Sequence, residues 1–318
     1  MLRSRLASAR MPVSRGEIMS GATARTVGVI GLGIMGGAIA RNLAAAGWQV
    51  VGFDIDDARR KKAAACGVEV AQGAAFVAAR ADRVLTSLPS PKALAATVAE
   101  IAAARLPRRI LAELSTFALD DKAAAEARLR AAGHVLLDCP LSGTGAQARS
   151  KDLVVYASGD SESIQAMMPA FADFSRQAHD LGAFGNGMKM KLVANLLVAI
   201  HNVASAEAMV LGMKAGLDPR QIVKLISAGA GNSRVFELRA PMMVESRYDG
   251  ENLTMKNEVW QKDMTVIGDF AAGLNCPTPL FNATAPIYAA AMSTGHALHD
   301  TGSVCAVLEA MAGLRRSD

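Results

Sequence analysis

The chain has 318 residues, 51% of them hydrophobic and 20% charged, with a formal charge of +5. This is the composition of an ordinary globular protein, and the length fits two domains on a prior of roughly 150 residues each. Four scattered cysteines, Cys66, Cys139, Cys276 and Cys305, exclude a disulfide scaffold and read as reduced thiols of a cytoplasmic protein.

The positive excess lies at the start of the chain. Arg3, Arg5, Arg10, Arg15 and Arg25 stand there against Glu17, so the remainder is nearly neutral, and no nucleic-acid partner is expected. This segment is rich in Arg and Ser and nearly free of acid, in the manner of a transit peptide. Met19 offers an alternative start, and residues 1–25 are expected to form a disordered N-terminal extension. No apolar stretch approaches the ~20 residues that cross a bilayer. The greasiest, 192–200, contains Asn195 and runs into His201, so no membrane association is expected.

From Thr26 onward short apolar runs alternate with Ala-rich stretches. Strands are predicted over 26–30, 49–54, 83–88, 110–115 and 135–138, with helices such as 38–46, 57–66 and 92–104 between them. Gly47 and Pro107 fall where helix ends need a C-cap glycine or a breaker. This alternation predicts an α/β fold, a Rossmann-type doubly wound parallel sheet over residues 26–184. After Gly187 the texture changes: 189–215 reads as one long helix and the rest stays helical, with a turn at 246–250. A second, all-helical domain over 185–318 is expected, and a helix starting at the junction can line a cleft between the two.

Gly31, Leu32, Gly33, Ile34, Met35 and Gly36 follow the first strand and open a helix. In a dinucleotide-binding loop Gly31 makes the tight turn, Gly33 lets a pyrophosphate approach, and Gly36 packs helix on strand. The phosphates then sit on the amide-rich, positive end of the helix. Asp54, closing the second strand, is placed to accept from the ribose hydroxyls of NAD and to repel the 2′-phosphate of NADP. Arg59 and Arg60 lie close behind it, so NAD is the expected cofactor and NADP stays open.

Lys191 and Asn195, four residues apart, share one helix face, with Asn202 further along the same stripe. Spacing alone is compatible with structural roles, in which these groups satisfy buried backbone or Lys191 extends to solvent. The segments GLGIMGGAIARNLAAAG, DCPLSGTGAQA, GNGMKMKLVANLLVAIHNVASAEAMVLGMKAGLD and WQKDM, in this order, resemble the β-hydroxyacid dehydrogenase family. That group includes the 3-hydroxyisobutyrate dehydrogenases and carries a 6-phosphogluconate dehydrogenase-type NAD-binding domain.

The resemblance implies that Lys191 is the general acid/base and that Asn195 holds the reacting oxygen, with Ser142 and Gly143 receiving a substrate carboxylate. Thr144 stands beside them where the family commonly has a second glycine, Ala194 replaces one asparagine of the usual pair, and Met255 replaces a frequent Phe. Leu88, Pro89, Ser115 and Thr116 match the nicotinamide half of the family's cofactor site, and Lys262 with Asp263 match its Lys-Asp pair near the cofactor. The implied reaction is hydride transfer between NAD(P) and a small 3-hydroxy acid or the corresponding semialdehyde. Imine reduction on the same scaffold and a catalytically silent NAD(P) sensor are the alternatives. A homodimer or homotetramer is expected. No metal is expected, since His296, His299 and Asp300 lack a further ligand cluster.

Overall fold

The computed structural model describes residues 25–250 and 253–316; the expected N-terminal extension lies outside the described residues but for Arg25. The first strand, β1 (Thr26–Ile30), is central in a six-stranded sheet that continues through β2 (Gln49–Phe53), β3 (Glu69–Val70), β4 (Arg83–Thr86), β5 (Ile110–Glu113) and β6 (Val135–Asp138). The order is β3-β2-β1-β4-β5-β6, with every pairing parallel. Helices α1 (Ile34–Ala45), α2 (Asp57–Ala64), α3 (Ala74–Arg80), α4 (Pro91–Ala103) and α5 (Leu119–Ala131) make the crossovers. Both faces are covered, which is why strands such as TVGVI and ILAE are nearly continuous apolar runs. The chain reverses its winding between β1 and β4, the place where doubly wound sheets open a ligand crevice.

A smaller sheet of order β7-β8-β9 follows, and the sequence reading did not contain it. Strand β7 (Leu141–Ser142) pairs antiparallel with β8 (Val154–Ala157), and β8 pairs parallel with β9 (Gln177–Asp180). The short helix α6 (Gly145–Arg149) joins β7 to β8, and α7 (Ser161–Phe174) joins β8 to β9. Backbone bonds between Asp138 and Ser158 tie this sheet to the end of β6.

Helix α8 (Asn186–Lys214) is the axis of the second unit. Around it pack α9 (Pro219–Ser227), α10 (Arg234–Glu245), α11 (Asn257–Gly273), α12 (Pro279–Ser293) and α13 (Val304–Met311). Its buried positions Met188, Leu192, Asn195, Ala199, Asn202, Val203, Ala206 and Met209 recur at three- and four-residue steps, the pattern of one helix face. The apolar stretch is longer than the sequence reading allowed: by length and composition α8 is sufficient to cross a bilayer. Here it is the core helix of a bundle, and its buried amides Asn195 and Asn202 have partners within the protein. Fully buried Asn202 donates to the Tyr288 hydroxyl at 3.0 Å and to the Thr301 carbonyl at 2.9 Å, which gives this amide a structural place.

Candidate active site

The glycine loop sits at the carboxyl end of β1. Gly31 has φ of +89°, and a Cβ there would lie 2.1 Å from the Ser87 carbonyl oxygen. At Gly36 a Cβ would lie 1.9 Å from the Gly31 carbonyl oxygen, so neither position admits a side chain. Gly33 differs: its nearest neighbour would be an Arg59 nitrogen 3.5 Å away, leaving an open cradle above the first turn of α1. Such a cradle of exposed amides fits a dinucleotide pyrophosphate.

Asp54, just past β2 and 5% exposed, accepts from the Leu32 amide at 2.7 Å and from the Asp56 amide at 2.9 Å. The carboxylate therefore braces the loop that it borders. Arg59 approaches it at 3.5 Å, and Arg60 donates to the Asp54 carbonyl at 2.6 Å. Between α1 and α2 lies a groove of 330 Å³ whose lining includes Gly33, Arg41, Arg59, Lys62 and Arg149.

Leu88, Pro89, Ser115 and Thr116 lie at the ends of β4 and β5, on the same edge of the sheet as the glycine loop. The Ser115 hydroxyl accepts from the Leu88 amide at 2.8 Å, joining the two loops. Ile34 lies against the next segment, since a Cβ on Gly145 would come 2.4 Å from its Cγ2. That contact places the Ser142 segment beside the glycine loop. Ser142 ends β7, and Gly143 turns the chain with φ of +131°. Thr144 caps α6: its amide donates to Gln147 Oε1 at 3.0 Å, and its hydroxyl accepts from the Gln147 amide at 3.5 Å. Its amide, carbonyl and hydroxyl are thus all turned to the helix, the carbonyl accepting from the Ala148 amide at 2.8 Å.

Lys191 and Asn195 fall on one face of α8, as their spacing requires. The Lys191 ammonium has no hydrogen bond or ion pair among the described residues. The protein crowding that ammonium pulls its pKa below the usual lysine value; the Asp263 carboxylate opposes the shift and Lys262 adds to it. Asn195 donates to Asp263 Oδ2 at 3.0 Å. Burial raises the pKa of Asp263, against the opposing pull of Lys262 and Lys191. The adjacent pair on α11 stays in contact, with Lys262 Nζ 3.7 Å from Asp263 Oδ1. Asp263 faces the Lys191 side of the helix packing, whereas Lys262 donates to the Thr116 carbonyl at 2.9 Å and lies 5.4 Å from the centre of the Phe117 ring.

Sequence reasoning missed the link between Asp263 and Asn195, whose only signal is that two polar residues occupy otherwise apolar helix faces. Cys139 is fully buried and its burial pushes the thiol well above its usual pKa, which makes it a small filler and not a nucleophile. Asp300 accepts from the amides of Thr254, Met255 and Gly302 and pairs with Arg239, so its carboxylate organises loops in the helical unit.

Residues 26–194 match the NAD-binding domain of 6-phosphogluconate dehydrogenase, and residues 185–308 match the NAD-binding domain of NADP-dependent 3-hydroxyisobutyrate dehydrogenase. The chain belongs to the β-hydroxyacid dehydrogenase family. It is 31% identical to L-threonate dehydrogenase of Cupriavidus necator, over 88% of this chain and 95% of that protein. It is 29% identical to a probable 3-hydroxyisobutyrate dehydrogenase of Mycobacterium tuberculosis, over 90% of this chain and 99% of that protein. The solved structure of M. tuberculosis 3-hydroxyisobutyrate dehydrogenase with L-serine superposes with a TM-score of 0.80 at 28% identity, covering 90% of this chain and 99% of that one. As a β-hydroxyacid dehydrogenase, the protein is an NAD(P)-dependent oxidoreductase acting on the CH–OH group of hydroxy acids.

Proposed function

We propose that this dehydrogenase transfers hydride reversibly between NAD and a small 3-hydroxy acid or aldonate, or the corresponding semialdehyde, with Lys191 as general acid/base. The observation that carries this reading is the Lys191 ammonium itself, crowded by protein, unpaired among the described residues, and held on one helix face with Asn195. A lysine so desolvated gives up its proton more readily than one in water. That is the requirement for a group that must work as base in one direction and as acid in the other.

The amides around Gly33 would hold the cofactor's pyrophosphate, Asp54 would accept from its adenosine ribose, and Leu88, Pro89 and Thr116 would line the other half of the crevice; when bound, the cofactor would supply the hydride acceptor or donor. Ser142 and the backbone around Gly143 take the substrate carboxylate; Thr144 shapes this segment through its cap on α6. In oxidation, Lys191 Nζ accepts the hydroxyl proton as the C–H bond gives up its hydride. In reduction the same nitrogen returns a proton to the carbonyl oxygen. Asn195, steadied by Asp263, orients that oxygen. A homodimer or homotetramer belongs to this reading, supported by the strongly exposed Leu211, Leu225 and Met311 on the helical unit.

A screen of short hydroxy acids with NAD and NADP, read at the nicotinamide absorbance, tests the reaction. Lys191→Ala tests the role: turnover should fall by about 10²–10⁴-fold with cofactor affinity nearly unchanged. Turnover within a few-fold of the parent removes Lys191 from the chemistry.

A further inference from the structure

Helix α8 begins without a cap of its own. Gly185 occupies the N-cap with φ of +91° and brings no side chain to the free amides that follow. Those amides are satisfied from the Rossmann unit. The Gly187 amide donates to Ser158 Oγ at 2.9 Å, and the Met188 amide donates to Asp138 Oδ2 at 2.7 Å. The approach is so close that a Cβ on Gly187 would fall 2.3 Å from the Tyr156 carbonyl oxygen and 2.6 Å from that of Asp138.

Asp138 is itself held from behind. Its Oδ1 accepts from Lys122 Nζ at 2.7 Å, and the same ammonium pairs with Glu113 Oε2 at 2.8 Å. Lys122, Glu113 and Asp138 are all fully buried. The other Glu113 oxygen accepts from the Ser115 amide at 2.9 Å, and Ser115 in turn holds the Leu88 amide. An unbroken chain of bonds thus runs from the loops at the ends of β4 and β5 to the first turn of the helix carrying Lys191. A lone carboxylate cap would need none of this. Burying two carboxylates and one ammonium is expensive, and a buried ionic group is best justified where it fixes one arrangement over others.

We propose that Asp138, backed by Lys122 and Glu113, is a positioning residue that sets where Lys191 stands relative to the cofactor loops. The inference rests on the acid–base reading of Lys191 above. Asp138→Asn keeps the shape and an acceptor for the Met188 amide but removes the charge that orders the chain. A displacement near 1 Å at a reacting group can cost as much as about 10²-fold in rate.

The test is a double-mutant cycle, with single-turnover hydride transfer measured at saturating NAD and substrate, per NAD-binding site. Asp138→Asn alone should slow transfer at least about tenfold while the dissociation constant for NAD stays within about threefold. In a Lys191→Ala background the same change should cost less than about threefold, because a residue acting through Lys191 has nothing left to act on. Equal losses in both backgrounds, or a parent-like rate for Asp138→Asn, overturn the proposal. Fast transfer by Lys191→Ala alone overturns the acid–base reading instead, and the two failures are told apart by that single variant. If Asp138→Asn does not fold, Ser158→Ala, which removes the partner of the Gly187 amide, is read by the same cycle and the same criteria.

Discussion

Asn195 and Asp263, 68 positions apart in sequence, meet at 3.0 Å across the packing of α8 on α11. The bond fixes the amide that shares a face with Lys191 and brings a negative charge into the surroundings of its ammonium. Asp263 favours the protonated lysine, against the desolvation that disfavours it.

The pH dependence follows from these signs. With Lys191 as the proposed base, oxidation needs it neutral, so kcat/KM for a hydroxy acid should rise with pH through a midpoint below the ordinary lysine value of about 10.4. Reduction needs the ammonium and should fall over the same range. Asp263→Asn removes the influence that supports the ammonium, so both limbs should move to lower pH. A shift to higher pH would show that Asp263 does not act on Lys191 in this way.

In the proposed reading, cofactor choice is a contest between Asp54 and the cations of the adjoining groove, Arg41, Arg59, Lys62 and Arg149. Asp54 is fixed by the Leu32 and Asp56 amides and has little freedom to turn from a 2′-phosphate. NAD should therefore bind at least about tenfold more tightly than NADP, about 1.4 kcal/mol, in titration calorimetry. Equal or tighter binding of NADP would mean that the arginines win.

The carboxylate anchor proposed at Ser142 and Gly143 predicts a preference for acids over neutral alcohols of equal size. For 3-hydroxyisobutyrate, L-threonate and glycerate, kcat/KM should exceed that of the decarboxylated analogues by about 10²-fold or more, since loss of a charged hydrogen-bonding partner costs roughly 2–3 kcal/mol. Ser142→Ala should narrow this ratio. Neutral analogues that react as well as the acids would end the anchor hypothesis.

Lys122 carries a stability prediction. Burial works against its charge, but Glu113 and Asp138 outweigh that penalty and raise its pKa above the ordinary value. A raised folded-state pKa stabilises fully below the unfolded value and is lost only as pH climbs through the folded one. Lys122→Met leaves two carboxylates buried without their cation and should cost about 3–5 kcal/mol near neutral pH, seen as a lower urea midpoint. On the alkaline side, the gap between variant and parent should narrow only as pH climbs through the raised Lys122 value. An unchanged midpoint at neutral pH would show that the buried chain contributes nothing net.

Much of the Rossmann unit was legible because strands buried on both faces leave continuous apolar runs; β1 and β6 have the bounds that their patterns predict. Three strands were read too long at their carboxyl ends, near Asp54, Leu88 and Ser115. There the chain leaves the sheet to build the candidate site, and apolar residues such as Leu88 and Leu114 line the turns. The small sheet was invisible because β7 has two residues and β9 reads Gln-Ala-His-Asp, with no alternating apolar face. That Lys191 and Asn195 share one face of α8 was legible from helical spacing, while the roles proposed for them come from family likeness. Lys122 was not, because a lysine in LDDKAAAEARLRA looks like part of a solvated helix face until the fold brings Glu113 and Asp138 to it.

The seam where α8 enters the Rossmann unit has a consequence for how this chain can change length. An α-helix turns about 100° per residue, so a helix gripped at one amide has its angular phase set for every residue after it. With Met188 clasped by Asp138, Lys191 stands three steps along that screw and Asn195 seven. Removing one residue between Met188 and Lys191 would swing both side chains about a quarter turn away from Asp263, although every one of these residues would still be present. The short stretch from the clasp to the lysine is thus a gauge whose length is itself part of the candidate site.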